Sequence, residues 1–255
     1  AAGVVTSVGA INGAGTVTSG TANAAQGATL ASISQTITYS ISDTAANIVA
    51  NIGGLNEAHD ITSTNNATFA QAKVIEDATN DGSNTYNISD TAANIAAGVG
   101  TDSVALVDAG TVEASTSATA AEANTIASLS QAVTYSISDT AANVAGANST
   151  ALNQAFNIVC TTDGTVAEVT TIESALNDGS NTYNIKDTAA NIAGAGNALL
   201  SKAGTVTVDG TVNVSQAVTI GGFTQAVIYS ISDSSGNALA AAGAAYNKAG
   251  DITIS

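Results

Sequence analysis

One ten-residue word recurs along the chain and restricts its fold more than any other feature. The first copy reads Tyr39-Ser-Ile-Ser-Asp-Thr-Ala-Ala-Asn-Ile48. Three nearly unchanged copies begin at Tyr86, Tyr135 and Tyr183, and a looser fifth begins at Tyr229. The tyrosines are 47, 49, 48 and 46 residues apart. A fixed period of this size predicts supersecondary units that bury their apolar faces by stacking on their neighbours.

A second, weaker word lies ahead of each tyrosine and predicts the start of a short helix. It is a Thr or Asn followed three residues later by Gln or Glu, a capping-box signature. The pairs are Asn23 and Gln26, Thr68 and Gln71, Thr119 and Glu122, Thr165 and Glu168, and Asn213 and Gln216. An aliphatic residue follows each start by seven positions, at Leu30, Ile75, Ile126, Ile172 and Ile220. In the fourth copy the helical spacing of Val166, Val169, Ile172 and Leu176 predicts a buried helix face.

Each repeat also contains two predicted strands. Tyr-x-Ile-x-Asp alternates like a half-buried strand, and its Asp is predicted to be the N-cap of a helix over Thr-Ala-Ala-Asn-Ile. The second strands are predicted at Asp60–Ser63, Thr111–Ala114, Asn157–Cys160 and Thr205–Val208. A repeat therefore consists of strand, short helix, strand and short helix, arranged as two coils of about 23 or 24 residues.

This order predicts an α/β repeat solenoid of short parallel strands and short helices, with five units of about 47 residues. The units are 15–61, 62–110, 111–158, 159–206 and 207–255, after an N-terminal segment 1–14. With two strands per unit, each unit advances the stack by about 10 Å. The alternative is a right-handed parallel β-helix in which the Ala-rich segments are loops. The absence of Pro suits both folds, because Pro removes a hydrogen bond from a ladder.

Charge excludes two classes of partner. The chain has 20 acidic residues against 4 Lys and no Arg, which gives a formal net charge of −16. Nucleic acid and anionic membrane surfaces would be repelled by it. No run of 18 apolar residues occurs, so membrane insertion is not expected.

The residues needed for catalysis are scarce. Cys160 is the single cysteine and His59 the single histidine, and neither lies in a motif that supplies the rest of a catalytic triad or a zinc site. Cys160 is predicted to be a small buried apolar residue in a strand. The chain is therefore not expected to be an enzyme.

The aspartates that end the repeated strands form the candidate site: Asp43, Asp90, Asp139, Asp187 and Asp233. Two interpretations stay open, a row of helix N-caps or a row of calcium ligands. No cofactor is required, and calcium is the one that the row would bind. A spacing of about 10 Å prevents one ion from bridging two of these residues, since calcium–oxygen distances are about 2.3 to 2.6 Å.

Two further polar features recur. The asparagines of the repeated word, Asn47, Asn94, Asn143 and Asn191, are predicted to bond to backbone groups inside the turn and so to form a ladder from coil to coil. The segments Asn80–Thr85 and Asn177–Thr182 contain Asn-Asp-Gly and are predicted to be turns. The overlapping segment Asp77–Asn84 also resembles an EF-hand loop, but Ile88 stands where that loop needs a bidentate Glu.

The repeated word, together with the Gln-Ala or Glu-Ala helix ahead of it, resembles repeats of very large secreted or surface-exposed bacterial proteins, notably of cyanobacteria and other aquatic bacteria. These include calcium-linked adhesins and surface-layer proteins. The resemblance extends from about Gly15 onward and implies an extracellular or bacterial cell-surface location.

We expect a non-catalytic structural protein, a self-assembling subunit or segment of an extracellular filament or surface layer. The last residues, Ala249–Ser255, repeat the second-strand word, and an open coil needs a cover. The expected partners are therefore copies of the chain stacked head to tail, or adjoining repeats. The alternative is a calcium-dependent adhesin stalk or carbohydrate-binding module that recognises surface glycans, and a tail-fibre shaft is a third hypothesis.

Overall fold

The computed structural model describes residues 17–239 and 243–254. Its strands are β1 (Val17–Ala22), β2 (Ile37–Asp43), β3 (Ile61–Ser63), β4 (Asn84–Thr85), β5 (Ile88–Asp90), β6 (Val112–Ala114), β7 (Val133–Thr134), β8 (Ile137–Asp139), β9 (Ile158–Cys160), β10 (Asn181–Thr182), β11 (Ile185–Asp187), β12 (Val206–Val212), β13 (Val227–Asp233) and β14 (Asp251–Ile254).

The helices of the described residues are short. They are α1 (Ala24–Ala31), α2 (Ala45–Ala50), α3 (Phe69–Glu76), α4 (Ala92–Thr101), α5 (Val104–Val107), α6 (Ala120–Ile126), α7 (Ala141–Ala145), α8 (Ser149–Gln154), α9 (Val166–Glu173), α10 (Ala189–Ala195), α11 (Asn197–Leu200), α12 (Val214–Gly221), α13 (Ser235–Leu239) and α14 (Gly243–Asn247), with a 3-10 turn at Ile52–Gly54.

The strands form four parallel sheets in which hydrogen-bonded neighbours are consecutive in sequence. Their orders are β1-β2-β3-β4, β5-β6-β7, β8-β9-β10 and β11-β12-β13-β14. Every pair is parallel, and Ile41 opposes Ile61 as Ile137 opposes Ile158. The fold is α/β and is compatible with solenoid winding.

The chain divides into two compact units. The first contains Ala1–Ser117 and Thr125–Tyr135, and the second contains Ala118–Asn124 and Ser136–Ser255. The sheets that contain β1 to β7 belong to the first unit, and those that contain β8 to β14 belong to the second. The division into five sequence repeats stays a prediction beside this division into two.

The strand predictions are confirmed. β2, β5, β8, β11 and β13 each end at the Asp of the repeated word, and β3, β6, β9 and β12 begin within the predicted second strands. In three copies the first strand is interrupted at its tyrosine, between β4 and β5, between β7 and β8, and between β10 and β11. Single bridges, Ala67 to Ile88, Ala118 to Ile137 and Gly164 to Ile185, continue the parallel pairing beyond the interruptions.

The capping-box predictions are also confirmed. In α3 the Thr68 hydroxyl accepts the N–H of Gln71 at 3.3 Å, and the Gln71 side chain accepts the N–H of Thr68 at 3.0 Å. The same reciprocal pair begins α1, α6, α9 and α12. The aliphatic residues seven positions beyond these caps are all buried.

The prediction for Leu176 is wrong. Helix α9 ends at Glu173, so Leu176 lies in the following turn with 80% of its surface exposed. Its backbone N–H bonds to Asn153 Oδ1 at 2.8 Å, which holds the chain away from the helical path. Val169 and Ile172 alone form the fully buried face.

The Ala-rich segments are helices, but they begin one residue later than predicted. Their N-caps are Thr44, Thr91, Thr140 and Thr188, whose hydroxyls accept the N–H of the Asn three residues on. The preceding Asp is therefore not the N-cap, because the Thr occupies that position. Since these segments are helical, the β-helix alternative with loops there is also wrong.

The core consists of inward-facing strand residues and of Ala, Val, Ile and Leu residues of the helices. The five tyrosines of the repeated word are at most 3% exposed. Tyr39 donates its hydroxyl hydrogen to the Gly54 carbonyl at 2.8 Å, and Tyr229 donates to the Ala245 carbonyl at 2.7 Å. Burial, followed by the nearby Glu57, raises the pKa of Tyr39 to about 12. These two tyrosines thus join their strands to the helical side of their own coils.

Candidate functional site

The aspartate row lies where each repeated strand ends, and one carboxylate oxygen of each Asp contacts an earlier helix. Oδ2 accepts the backbone N–H of the first residue of a capping-box helix. These bonds are Ala24 to Asp43 at 3.1 Å, Phe69 to Asp90 at 2.9 Å, Ala120 to Asp139 at 3.0 Å, Val166 to Asp187 at 2.9 Å and Val214 to Asp233 at 3.0 Å. Each Asp therefore satisfies a helix N-terminus that lies 19 to 21 residues earlier in the chain.

The other oxygen, Oδ1, serves the coil to which the Asp belongs. Asp43 Oδ1 accepts the N–H of Thr44 at 2.8 Å and the side-chain amide of Asn47 at 2.8 Å. The same two bonds recur at the other four aspartates, at 2.7 Å and at 2.8 to 2.9 Å respectively. Each carboxylate thus accepts three N–H bonds, the strong charge-assisted kind.

The asparagine ladder predicted from the sequence is wrong. Asn47, Asn94, Asn143 and Asn191 each donate to the side chain of the Asp four residues earlier, not to backbone groups of the turn, and these bonds stay within one coil. A separation of four residues brings the amide back over the strand end, because the intervening Thr begins a helical turn. The Asn therefore orients the carboxylate that makes the contact between coils.

The hydrogen bonds lower the pKa of several of these carboxyl groups. The Asn143 amide, against the opposing effect of partial burial, and then the N–H groups of Ala120 and Thr140 hold the pKa of Asp139 below its ordinary value. The equivalent hydrogen bonds lower the pKa values of Asp43 and Asp233. At Asp187, burial raises the pKa, but the bonds from Val166, Asn191 and Thr188 together outweigh it and the pKa is lowered.

A second set of bonds between coils was not anticipated from the sequence. The first N–H of an Ala-rich helix donates to a side chain of the next coil: Ala45 to Asn65 Oδ1 at 2.9 Å, Ala92 to Thr116 Oγ1 at 3.1 Å and Ala141 to Thr162 Oγ1 at 3.1 Å. Each acceptor lies two residues beyond the strand residue that is paired with the Asp. Gly210 occupies this position in the fourth repeat with φ 84°, and it has no side chain to accept the bond.

The calcium interpretation of the row stays a prediction. Among the described residues, no group of three or more His, Cys, Asp or Glu side chains could hold a metal ion. The Asp oxygens are surrounded by N–H donors, whereas calcium takes six to eight oxygen ligands. A cation bound here would have to displace hydrogen bonds that join the coils.

The turns over the Asn-Asp-Gly segments are confirmed. Ser83 donates its N–H to Asp60 Oδ1 at 3.0 Å, and Ser180 donates to Asn157 Oδ1 at 2.9 Å. A Cβ on Gly82 would lie 2.0 Å from the His59 carbonyl oxygen, and one on Gly179 would lie 2.0 Å from the Phe156 carbonyl oxygen. These two glycines allow each turn to rest on the preceding coil.

The single histidine lies apart from the row, whereas Cys160 is the strand partner of Asp139. His59 Nδ1 lies 2.9 Å from Asp81 Oδ1, and this hydrogen bond, together with the charges of Asp60 and Asp81, raises the pKa of His59. Cys160 is half-buried at the end of β9, and burial followed by the charge of Glu168 raises the pKa of its thiol to about 11. The thiol is therefore protonated at neutral pH and is a poor nucleophile.

Comparisons with protein-family models, with curated proteins and with solved structures found no match for the chain. Within residues 17–239 and 243–254, no helix has the length and apolar character needed to cross a membrane.

Proposed function

We propose that the chain is a non-catalytic structural protein, a self-assembling subunit or segment of an extracellular filament or surface layer. Its five repeats form an α/β solenoid of short parallel strands and short helices. The partner is another coil of the same kind, supplied by a second copy head to tail or by adjoining repeats. An extracellular or bacterial cell-surface location rests on the resemblance of the repeated word.

The observation that carries this proposal is the exposed inner face of β14. Ile252 is paired with Ile231 and therefore faces inward, yet it is 45% exposed. In the other second strands the residues equivalent to Ile252 are at most 2% exposed. They are Ile61, Val112, Ile158 and Val206. Among the described residues, no strand pairs with the outer edge of β14. Another parallel coil would cover both the edge and Ile252.

Uniform contacts between coils support stacking as the function. Within each compact unit, consecutive strands keep the same parallel pairing, and the Asp carboxylates join each Tyr-containing coil to the preceding helix. Such contacts depend on the repeated word and not on a unique surface. An added coil that contains the word can therefore make them as well.

Electron microscopy of purified protein, with and without EDTA, tests the proposal. We expect regular filaments or sheets that persist in EDTA. Ile252→Glu should abolish them, because it places a charge on the inner face of the edge strand. Thr253→Glu, on the opposite face of the same strand, is the matched control and should still assemble.

Two outcomes separate this function from its alternative. A monomer that melts when calcium is chelated would favour the calcium-dependent adhesin stalk or carbohydrate-binding module. A protein that stays monomeric at every concentration and is indifferent to EDTA would contradict both functions.

A further inference from the structure

The first compact unit contains a cavity that the repeat does not require. Its volume is about 500 Å³, within the usual range for small-molecule sites. Its walls are the loop between α1 and β2, the turn before β3 and the turn before β4. Leu30, Ile37 and Tyr39 lie behind the lining and are at most 7% exposed, while Glu57 and His59 are exposed polar residues of the lining.

A comparison of the two Asn-Asp-Gly turns shows what is special about this cavity. A Cβ on Gly82 would lie as close to the His59 carbonyl oxygen as one on Gly179 would lie to the Phe156 carbonyl oxygen, 2.0 Å in both turns. The two backbones are therefore alike, and His59 occupies the position of Phe156. In the first unit the turn aspartate, Asp81, bonds to the imidazole, whereas Phe156 offers no partner to the matching Asp178. The polar pair belongs to one turn only.

The chemistry of the lining selects a class of ligand. Glu57 and Asp81 accept hydrogen bonds, and the His59 imidazole can donate as well as accept. Anionic ligands are disfavoured because these carboxylates and the net charge of −16 repel them. A bare metal ion would need a cluster of ligands that the described residues do not form. A sugar ring suits the lining, since its hydroxyls can donate to the carboxylates and accept from the imidazole.

We propose that this cavity, the His59 pocket, binds a small neutral polyhydroxylated ligand, a mono- or disaccharide, through His59, Asp81 and Glu57. Binding here is independent of the stacking proposed above, because the contacts that form the pocket lie within one compact unit and do not involve β14.

The test uses the single histidine as its own reporter. The ring protons of His59 give the only imidazole signals of the chain, so proton NMR follows this pocket without further assignment. Glucose, galactose, mannose and N-acetylglucosamine are each titrated into the full-length protein. We expect a saturable shift of the His59 signals with at least one of the four sugars.

Variants decide whether the pocket is responsible. Asp81→Asn and Glu57→Gln replace exposed residues, and each should weaken the affinity about tenfold, the loss expected when a charge-assisted hydrogen bond becomes a neutral one. Asp178→Asn changes the matching turn of the second unit and should leave the affinity unchanged. The proposal is overturned if no sugar gives a saturable shift, or if Asp81→Asn and Glu57→Gln both bind as tightly as the unchanged protein.

Discussion

The two oxygens of each repeat aspartate have separate tasks. At Asp90, Oδ2 accepts the first N–H of α3, and Oδ1 accepts the N–H of Thr91 and the amide of Asn94. The first of these bonds joins two coils, and the other two fix the carboxylate in its own coil. Because a helix N-terminus is electropositive, a charged oxygen satisfies its free N–H better than a neutral one. This explains why an acidic residue ends every repeated strand.

Removing one such carboxylate should destabilise the fold. In Asp90→Ala, a residue that is 9% exposed loses three accepted hydrogen bonds and leaves part-buried N–H donors unpaired. We expect a loss of about 3 kcal/mol in the free energy of unfolding, measured by urea denaturation. Asp163→Ala removes an exposed carboxylate outside the row and should change little. Equal losses in the two variants would contradict the role assigned to the row.

The row should also make stability depend on pH in the acid range. The pKa values of Asp43, Asp139, Asp187 and Asp233 are lowered in the folded protein from the ordinary value of 3.8. Their contribution is therefore fully present above that value and is lost as the pH falls through the lowered folded values. Thermal unfolding followed by circular dichroism between neutral pH and pH 2 measures the loss. In Asp139→Asn the side chain at position 139 cannot titrate, so the loss of thermal stability between neutral pH and pH 2 should be smaller than in the unchanged protein. An equal loss in the two proteins would argue against the aspartate row as the source of the pH dependence.

At the scale of elements, the caps and turns place the helices against the strands. Helices α1, α3, α6, α9 and α12 each begin with a capping box, which is formed by two residues only three positions apart. Such local signals are visible in a sequence. The helices α5, α8, α11 and α14, which follow the Ala-rich helices, were not anticipated, because segments of four to six residues have no measurable hydrophobic period.

Two glycines should respond to alanine in opposite directions. Gly82→Ala would place a Cβ 2.0 Å from the His59 carbonyl oxygen, so the turn must move and the protein should lose about 1 to 3 kcal/mol of stability. Gly194, in α10, has nothing within 4 Å of its built Cβ. Gly194→Ala should therefore gain up to about 1 kcal/mol from its higher helix propensity. Urea denaturation of both variants measures the direction of each change in the free energy of unfolding. An unchanged stability in Gly82→Ala would contradict the close approach of Gly82 to the His59 carbonyl.

At the scale of the whole molecule, charge opposes association and the open edge of β14 favours it. Copies with a net charge of −16 repel one another, while Ile252 presents apolar surface that another coil would bury. The balance should therefore depend on ionic strength.

Salt should promote assembly. Screening lengths fall to about 10 Å at 0.1 M salt, so added sodium chloride weakens the repulsion between copies more than the apolar contact. Light scattering should rise with salt for the unchanged protein and stay low for Ile252→Glu. Assembly that dissolves as salt is added would instead point to contacts held by ion pairs.

The sequence by itself determined the period, the strands and the capping boxes, because each depends on residues close together in the chain. The sequence predicts that the Asp of the repeated word caps the helix that follows it, whereas in the structure its carboxylate accepts the first N–H of an earlier helix. In the first copy Thr44 caps the following helix, while Asp43 accepts the N–H of Ala24 at the start of the preceding helix. Only the tertiary structure decided this, since the register between coils brings a strand end beside a helix that began 19 residues earlier. The same register places His59 beside Asp81 and forms a pocket that no local sequence pattern predicts.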